Sequence, residues 1–230
     1  MAGNVVRDVD QWVPVRRVLL SVTDKAGLDT LVPGLLEANP EVHFYSTGGT
    51  FTAVEKILGP EKAKTHLTQV SDYTGQPETQ GGLVKTLDFK IYLGLLTETY
   101  NPSHQNDLAR TQAHAIDMVV VNLYPFRETV AKPDATVEMA RANIDIGGPC
   151  MIRASAKNYL RVASVVDPAD YATLVATVKA NGGRLDLATR FSLARKAFTY
   201  TADYDKAIAA YLEKQNPQAI GTVYDLKNLT

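Results

Sequence analysis

The sequence predicts an α/β fold built on a mainly parallel sheet. Short apolar runs that read as strands are each followed by a turn and then by apolar residues at helical spacing, and this strand-turn-helix unit occurs twice in the first sixty residues or so. Residues 115–123 are apolar almost throughout, as a strand covered on both faces must be.

Residues 1–14 read as an irregular lead-in and residues 15–230 as a single domain, since no proline- or serine-rich linker and no internal repeat divides them. Residues 17–22 form the first strand, and Thr23-Asp24-Lys25 leaves it, with Asp24 as the expected N-cap of the next helix. Leu28, Leu31, Val32, Leu35 and Leu36 mark one helical face, which Pro33-Gly34 should kink or shorten. Residues 42–45 are the second strand. Ser46-Thr47-Gly48-Gly49-Thr50 then opens a helix as far as Gly59-Pro60.

Residues 65–70 read as a short strand and 71–82 as a polar loop ending in Gly81-Gly82; residues 91–96 are another apolar run. Residues 97–112, polar and carrying Asn101-Pro102-Ser103, should be a surface excursion. A short helix spans 136–143, and Pro149 suits the first turn of another that runs towards Lys157-Asn158. A strand follows at 161–166. Asp167-Pro168 opens a helix that buries Tyr171, Leu174, Val175 and Val178 and ends at Asn181-Gly182-Gly183. From 185 to 215 the period is helical, with Phe191, Ala194, Ala197 and Phe198 on one stripe.

Composition excludes several classes. With 24 basic and 25 acidic residues the net charge is −1, so no global field draws in nucleic acid or an anionic membrane. Cys150 is the only cysteine, which excludes a disulfide framework and a cysteine-rich metal site. The first fifteen residues lack the apolar core of a signal peptide, and no run of about 18 apolar residues suggests a membrane span. The expected setting is the cytoplasm.

Chemistry is expected at the strand ends. Paired glycines at 48 and 49 let backbone N–H groups approach a ligand, and the helix start behind them favours a phosphate. The same residues could instead only make a tight turn with Thr50 as a cap. Neither a P-loop nor a G-x-G-x-x-G pattern is present. Lys85-Thr86, Asn122, Tyr124, Asp145 before Gly147-Gly148, and Lys157 are polar groups near loops, each also open to a bland reading as solvated lysine, half-buried tyrosine or helix cap. His43, His66, His104 and His114 show no ligand spacing.

Taken together, seven segments resemble the inosine monophosphate (IMP) cyclohydrolase family, usually the N-terminal half of the bifunctional purine-biosynthesis protein PurH. They are Ser21-Val22-Thr23-Asp24-Lys25-Ala26-Gly27, Ser46-Thr47-Gly48-Gly49-Thr50, Val70-Ser71-Asp72-Tyr73-Thr74-Gly75, Val84-Lys85-Thr86-Leu87, Asn122-Leu123-Tyr124-Pro125-Phe126, Asn143-Ile144-Asp145-Ile146-Gly147-Gly148 and Ala154-Ser155-Ala156-Lys157-Asn158. The resemblance implies a methylglyoxal-synthase-like, three-layer α/β sandwich. It also implies ring closure of 5-formamidoimidazole-4-carboxamide ribonucleotide to IMP and water, with no metal or organic cofactor. Lys85 matches the oxyanion-side lysine; Tyr124, Asp145 and Lys157 match groups around the closing ring, with the base left open. Ser21, Lys25, Ser46, Gly48, Gly49, Thr50 and Thr86 match the phosphate grip, and Asn122, Ile146 and Gly147 the base contacts.

A homodimer is implied too. The chain stops where the transformylase half would begin, so a stand-alone cyclohydrolase is expected, and whether a separate transformylase partner associates with it is left open. Four positions depart from the family pattern: Leu83 for arginine, Asp88 for histidine, Phe89 for proline and Tyr92 for histidine. The first removes a planar cation, so either another cation such as Lys90 or Arg153 takes over or substrate binding is weaker. A nucleotide-sensing module of the same fold and a methylglyoxal synthase are the competing readings. Tyr124, Asp145 and Lys157 favour the cyclohydrolase, because a triose phosphate offers them no base.

Overall fold

The computed structural model describes residues 5–76 and 85–227. The expected loop end at Gly81-Gly82, the departure at Leu83 and the first four residues lie outside them. In chain order, β1 (Trp12–Pro14) and β2 (Arg17–Val22) precede α1 (Leu28–Ala38), β3 (His43–Ser46), α2 (Gly48–His66), β4 (Leu67–Gln69) and α3 (Val70–Thr74). Next come α4 (Phe89–Leu96), α5 (Pro102–Thr111), β5 (Met118–Asn122), α6 (Phe126–Val130), α7 (Val137–Ala142), α8 (Gly147–Lys157) and β6 (Ala163–Val165). The chain then continues with α9 (Tyr171–Ala180), β7 (Arg184–Asp186) and α10 (Leu187–Glu213).

Five strands form one sheet in the order β4-β3-β2-β5-β6, every pairing parallel. Alternation along the strands divides the core. Val18, Leu20 and Val22 of β2, with Met118 and Val120 of β5, face one layer, packed by Leu31 of α1, Val54 of α2 and Leu174 of α9. Leu19, Val119 and Val121 face the other, against Ile91 of α4, Ile152 of α8 and Ala194 of α10. All five residues of β5 are buried, the two-sided cover that its apolar run anticipates.

Several elements differ from expectation. Trp12–Pro14 of the lead-in is not irregular but pairs antiparallel with β7, a strand the sequence reading omits. Pro33 does not interrupt α1; Gly34 lets α9 close in, so near that a Cβ there would lie 2.4 Å from Val175 Cγ1. Asp24 does not cap α1, whose N-cap position is Gly27; its Oδ1 accepts the Ala26 N–H and shapes the preceding turn. α2 does break at Gly59, whose φ is 74°, but resumes to His66.

The excursion at 97–112 contains a ten-residue helix, α5, capped by Asn101, whose Oδ1 accepts the N–H groups of Ser103 and His104. Only Leu108 of α5 is buried, so apolar periodicity had little to register. On α10 the buried stripe is Arg190, Ala194, Ala197, Thr201 and Tyr204, while Phe191 and Phe198 are 47% and 39% exposed. Among the described residues no helix is long and apolar enough to cross a membrane.

Candidate functional site

Parallel pairing brings the C-terminal ends of β2, β3 and β5 to one edge of the sheet, where α/β folds bind ligands. A cleft of about 560 Å³ opens there. One part is lined by Ser21 near the end of β2, Thr23 and Lys25 after it, by Thr47–Thr50 at the start of α2, and by Lys85 and Thr86. Another is lined by Asn122 and Tyr124 after β5, and by residues 144–148 entering α8. A larger groove of about 1160 Å³ adjoins it, sharing Thr23, Asn122 and Tyr124. The smaller cleft is the candidate site, because the helix start, the lysines and a half-buried carboxyl converge in it.

Gly48 adopts φ 46°, a left-handed conformation that favours glycine, and no side chain caps α2. The N–H groups of Thr50 and Phe51 turn back onto Thr47 O at 3.1 and 3.2 Å, so the donors offered to a ligand are those of Gly48 and Gly49, with the partial positive charge of the helix start behind them. Lys25 and Lys85 flank this pair: a Cβ at Gly49 would lie 3.9 Å from Lys25 Nζ, and one at Gly48 would lie 3.6 Å from Lys85 Nζ. Lys85 thus stands at the phosphate-type end of the cleft. Thr50 is not a cap; its buried Oγ1 accepts from Val22 N at 3.1 Å and donates to Val22 O at 3.0 Å, locking α2 onto β2.

Asp145 lies in the turn before α8. Its Oδ1 accepts the Gly148 N–H at 2.9 Å. Burial raises its carboxyl pKa above the ordinary range, against the opposing pull of backbone N–H groups at Gly148 and Tyr124. The two glycines that follow are set by close approach. A Cβ on Gly147 would meet Thr86 Oγ1 at 2.6 Å, and one on Gly148 would meet Leu123 Cδ2 at 2.5 Å and Asp145 Oδ2 at 2.6 Å. Tyr124 is 48% exposed at the mouth.

Asn122 is committed to the scaffold. Its Oδ1 accepts the N–H groups of Thr23 and Asp24 at 2.6 and 2.8 Å, and its Nδ2 donates to Asp24 O at 2.8 Å. Ile146 and Gly147 line the cleft as expected. Two expected residues do not. Ser46 is fully buried, its hydroxyl donating to Leu20 O at 2.9 Å. Lys157 is exposed at the last residue of α8, ten residues from Gly147 and hence about 15 Å along the helix.

The departing residues 88, 89 and 92 line no part of the cleft: Asp88 caps α4 through the Lys90 N–H, Phe89 is 59% exposed, and Tyr92 is half-buried on α4. Neither substitute cation reaches the cleft. Lys90 Nζ donates to Tyr73 O, and Arg153 stacks over Phe198. The histidines are each hydrogen-bonded within the fold, His43 to Thr68, His66 to Val42, His104 to Glu98 and His114 to Tyr45. Sequence reading overlooked Thr23, Thr47 and Met151 in the lining, and Tyr200 and Tyr204 behind it. The only signal for the tyrosines was their spacing of four on a helix.

Comparisons with known proteins identify the relatives of this chain. A family model described as MGS-like domain matches residues 29–150, and one described as AICARFT/IMPCHase bienzyme matches residues 155–229. Two relatives named bifunctional purine biosynthesis protein PurH, from Synechococcus sp. (strain CC9605) and Magnetococcus marinus, are 48% and 46% identical over 200 and 198 residues. The match takes in 86% of this chain and 36% of each relative, so the chain spans about a third of their length. Among solved structures, the crystal structure of ForH is 30% identical with a TM-score of 0.70, covering 84% of this chain and 97% of that one.

Proposed function

Since the chain belongs to the family of MGS-like domains, we propose that it is an IMP cyclohydrolase, closing the ring of 5-formamidoimidazole-4-carboxamide ribonucleotide to give IMP and water. One observation carries the reading: a glycine-rich helix start flanked by two lysines shares a cleft with a carboxyl of raised pKa and a phenol. The names of the PurH relatives point the same way.

Ser21, Lys25, Gly48, Gly49 and Thr86 hold the phosphate, with the helix start supplying N–H donors and Thr50 fixing that start to β2. Ile146, Gly147 and the backbone at Asn122 meet the base. The carboxamide nitrogen then attacks the formyl carbon, and the tetrahedral intermediate loses water. Asp145 is suited to the proton transfers: a carboxylate of raised pKa is a stronger base than a free one and holds the proton better for return to the leaving oxygen. Tyr124 donates to that oxygen, and Lys85, beside Gly48, serves either that oxygen or the phosphate. Much of the rate comes from holding two ends of one molecule together. Lys157, exposed on the far end of α8, has no place in this single-chain reading. Residues 15–230 as one domain, a homodimer and a cytoplasmic setting are part of the same proposal.

The test is ultraviolet absorbance as IMP forms from the purified protein and the formamido ribonucleotide, with Asp145→Asn as control. Turnover that the control loses supports the enzyme. Absence of turnover with tight IMP binding makes the chain a nucleotide-binding module of the same fold. Lys85→Ala divides its two roles: a fall in kcat with KM held assigns it to the oxyanion, and a rise in KM alone assigns it to the phosphate, where its ammonium lies.

A further inference from the structure

Two tyrosines one turn apart on α10 reach the backbone of both segments that carry the chemical end of the cleft. The Tyr200 hydroxyl accepts the N–H of Leu123, the residue before Tyr124, at 3.0 Å. The Tyr204 hydroxyl accepts the N–H of Asp145 itself at 2.9 Å and donates to the carbonyl of Asn143 at 3.1 Å. One oxygen therefore closes the turn from which the Asp145 carboxyl projects. The Tyr204 ring is anchored independently of that oxygen: it is 8% exposed and packs edge-on against Phe126 with centroids 6.2 Å apart. A helix twenty-seven residues long is a rigid base for such a strap.

We propose that Tyr204 is a positioning residue for Asp145, its hydroxyl fixing the carboxyl at the angle proton transfer requires, with Tyr200 performing the same task for the Tyr124 segment. The proposal rests on the reading of Asp145 as the proton-transfer group. A residue that only packs the core would need the ring and not the hydroxyl. The phenol suits the task because it accepts and donates through one atom, which a backbone amide or a lysine does not. Burial raises the pKa of both tyrosines, so the hydroxyls keep their protons throughout the neutral range.

The experiment is a double-mutant cycle in the intact chain, with Tyr204→Phe, Asp145→Asn and their combination, read as kcat and KM for ring closure. Tyr204→Phe keeps the ring and should lower kcat about tenfold or more with KM within about threefold, because a small displacement of a reacting group has a large rate cost while the phosphate grip is elsewhere. In the Asp145→Asn background the same change should leave whatever residual turnover remains unaltered. Additive effects, or a wild-type kcat in Tyr204→Phe, overturn the proposal. The second readout is the carboxyl titration of Asp145 by carbon NMR. Tyr204→Phe should bring it down towards the ordinary carboxylate range as the turn relaxes into water, and an unchanged titration overturns the strap even where the parent chain shows no turnover. A parent chain without turnover sinks the cyclohydrolase reading by itself, so the two failures are separate. Tyr200→Phe should likewise lower kcat without shifting the Asp145 titration.

Discussion

Asp145 is a carboxyl on which burial and hydrogen bonding pull in opposite directions, and burial wins, so its pKa is raised in the folded chain. A carboxyl raised on folding favours the native state most when protonated, and that contribution is lost as pH rises from the unfolded value through the folded one. Asp145→Asn, a neutral isostere that still accepts from Gly148, should therefore unfold at a higher temperature than the parent at pH 7 while losing ring closure. The advantage should vanish below about pH 4, where the parent carboxyl is protonated in both states; thermal melts across pH check it. Asn122 makes a contrasting case. Its side chain holds Thr23 and Asp24 through three hydrogen bonds, so Asn122→Ala should destabilise by about 1–3 kcal/mol and raise KM through a loosened Lys25 loop, read by denaturant unfolding and steady-state kinetics. Chemical type at these positions was legible in the sequence. Direction was not: Ser46 sits in the glycine-rich motif and yet points at Leu20 O, because alternation along β3 turns it into the sheet.

At the scale of elements, apolar period identified what packs on the sheet and missed what does not. The buried face of α9 is the one read from sequence, Tyr171, Leu174, Val175 and Val178. α5 escaped because it buries only Leu108, and β1 and β7 because a three-residue edge pair is too short to show a period. Pro33 looked like a break in α1, but packing against α9 through Gly34 keeps the helix continuous. The start of α8 is the tightest junction of the site. In Gly148→Ala the new methyl would meet Leu123 and the Asp145 carboxyl, so the turn must shift; a stability loss of about 1–3 kcal/mol with a larger proportional loss of kcat is expected from calorimetry and turnover.

For the whole molecule, two buried arginines join elements distant in sequence. Arg190, 1% exposed, donates to the carbonyls of Asp10, Gln11, Tyr159, Leu160 and Leu185, tying the N-terminal segment and β7 to the loop after α8. Arg161 donates to Gly94, Thr97, Ile116 and the Asp117 carboxylate, whose other oxygen receives the N–H groups of Arg16 and Arg17. Arg190→Met should lower stability by at least about 3 kcal/mol, since several buried carbonyls lose their donor, while the cleft lining stays intact; denaturant unfolding with IMP binding as the control checks this. Neither arginine was visible as structural in the sequence, where a basic residue on a helix or at the start of a strand reads as solvated. The sequence by itself determined the layer order, the parallel sheet and the motifs that meet at its edge, because strand and helix periods and glycine turns are local properties. The tertiary structure alone decided that Lys157 faces away, that Lys85 stands by Gly48 and that Tyr204 grips Asp145, because side-chain direction depends on how distant segments close upon one another.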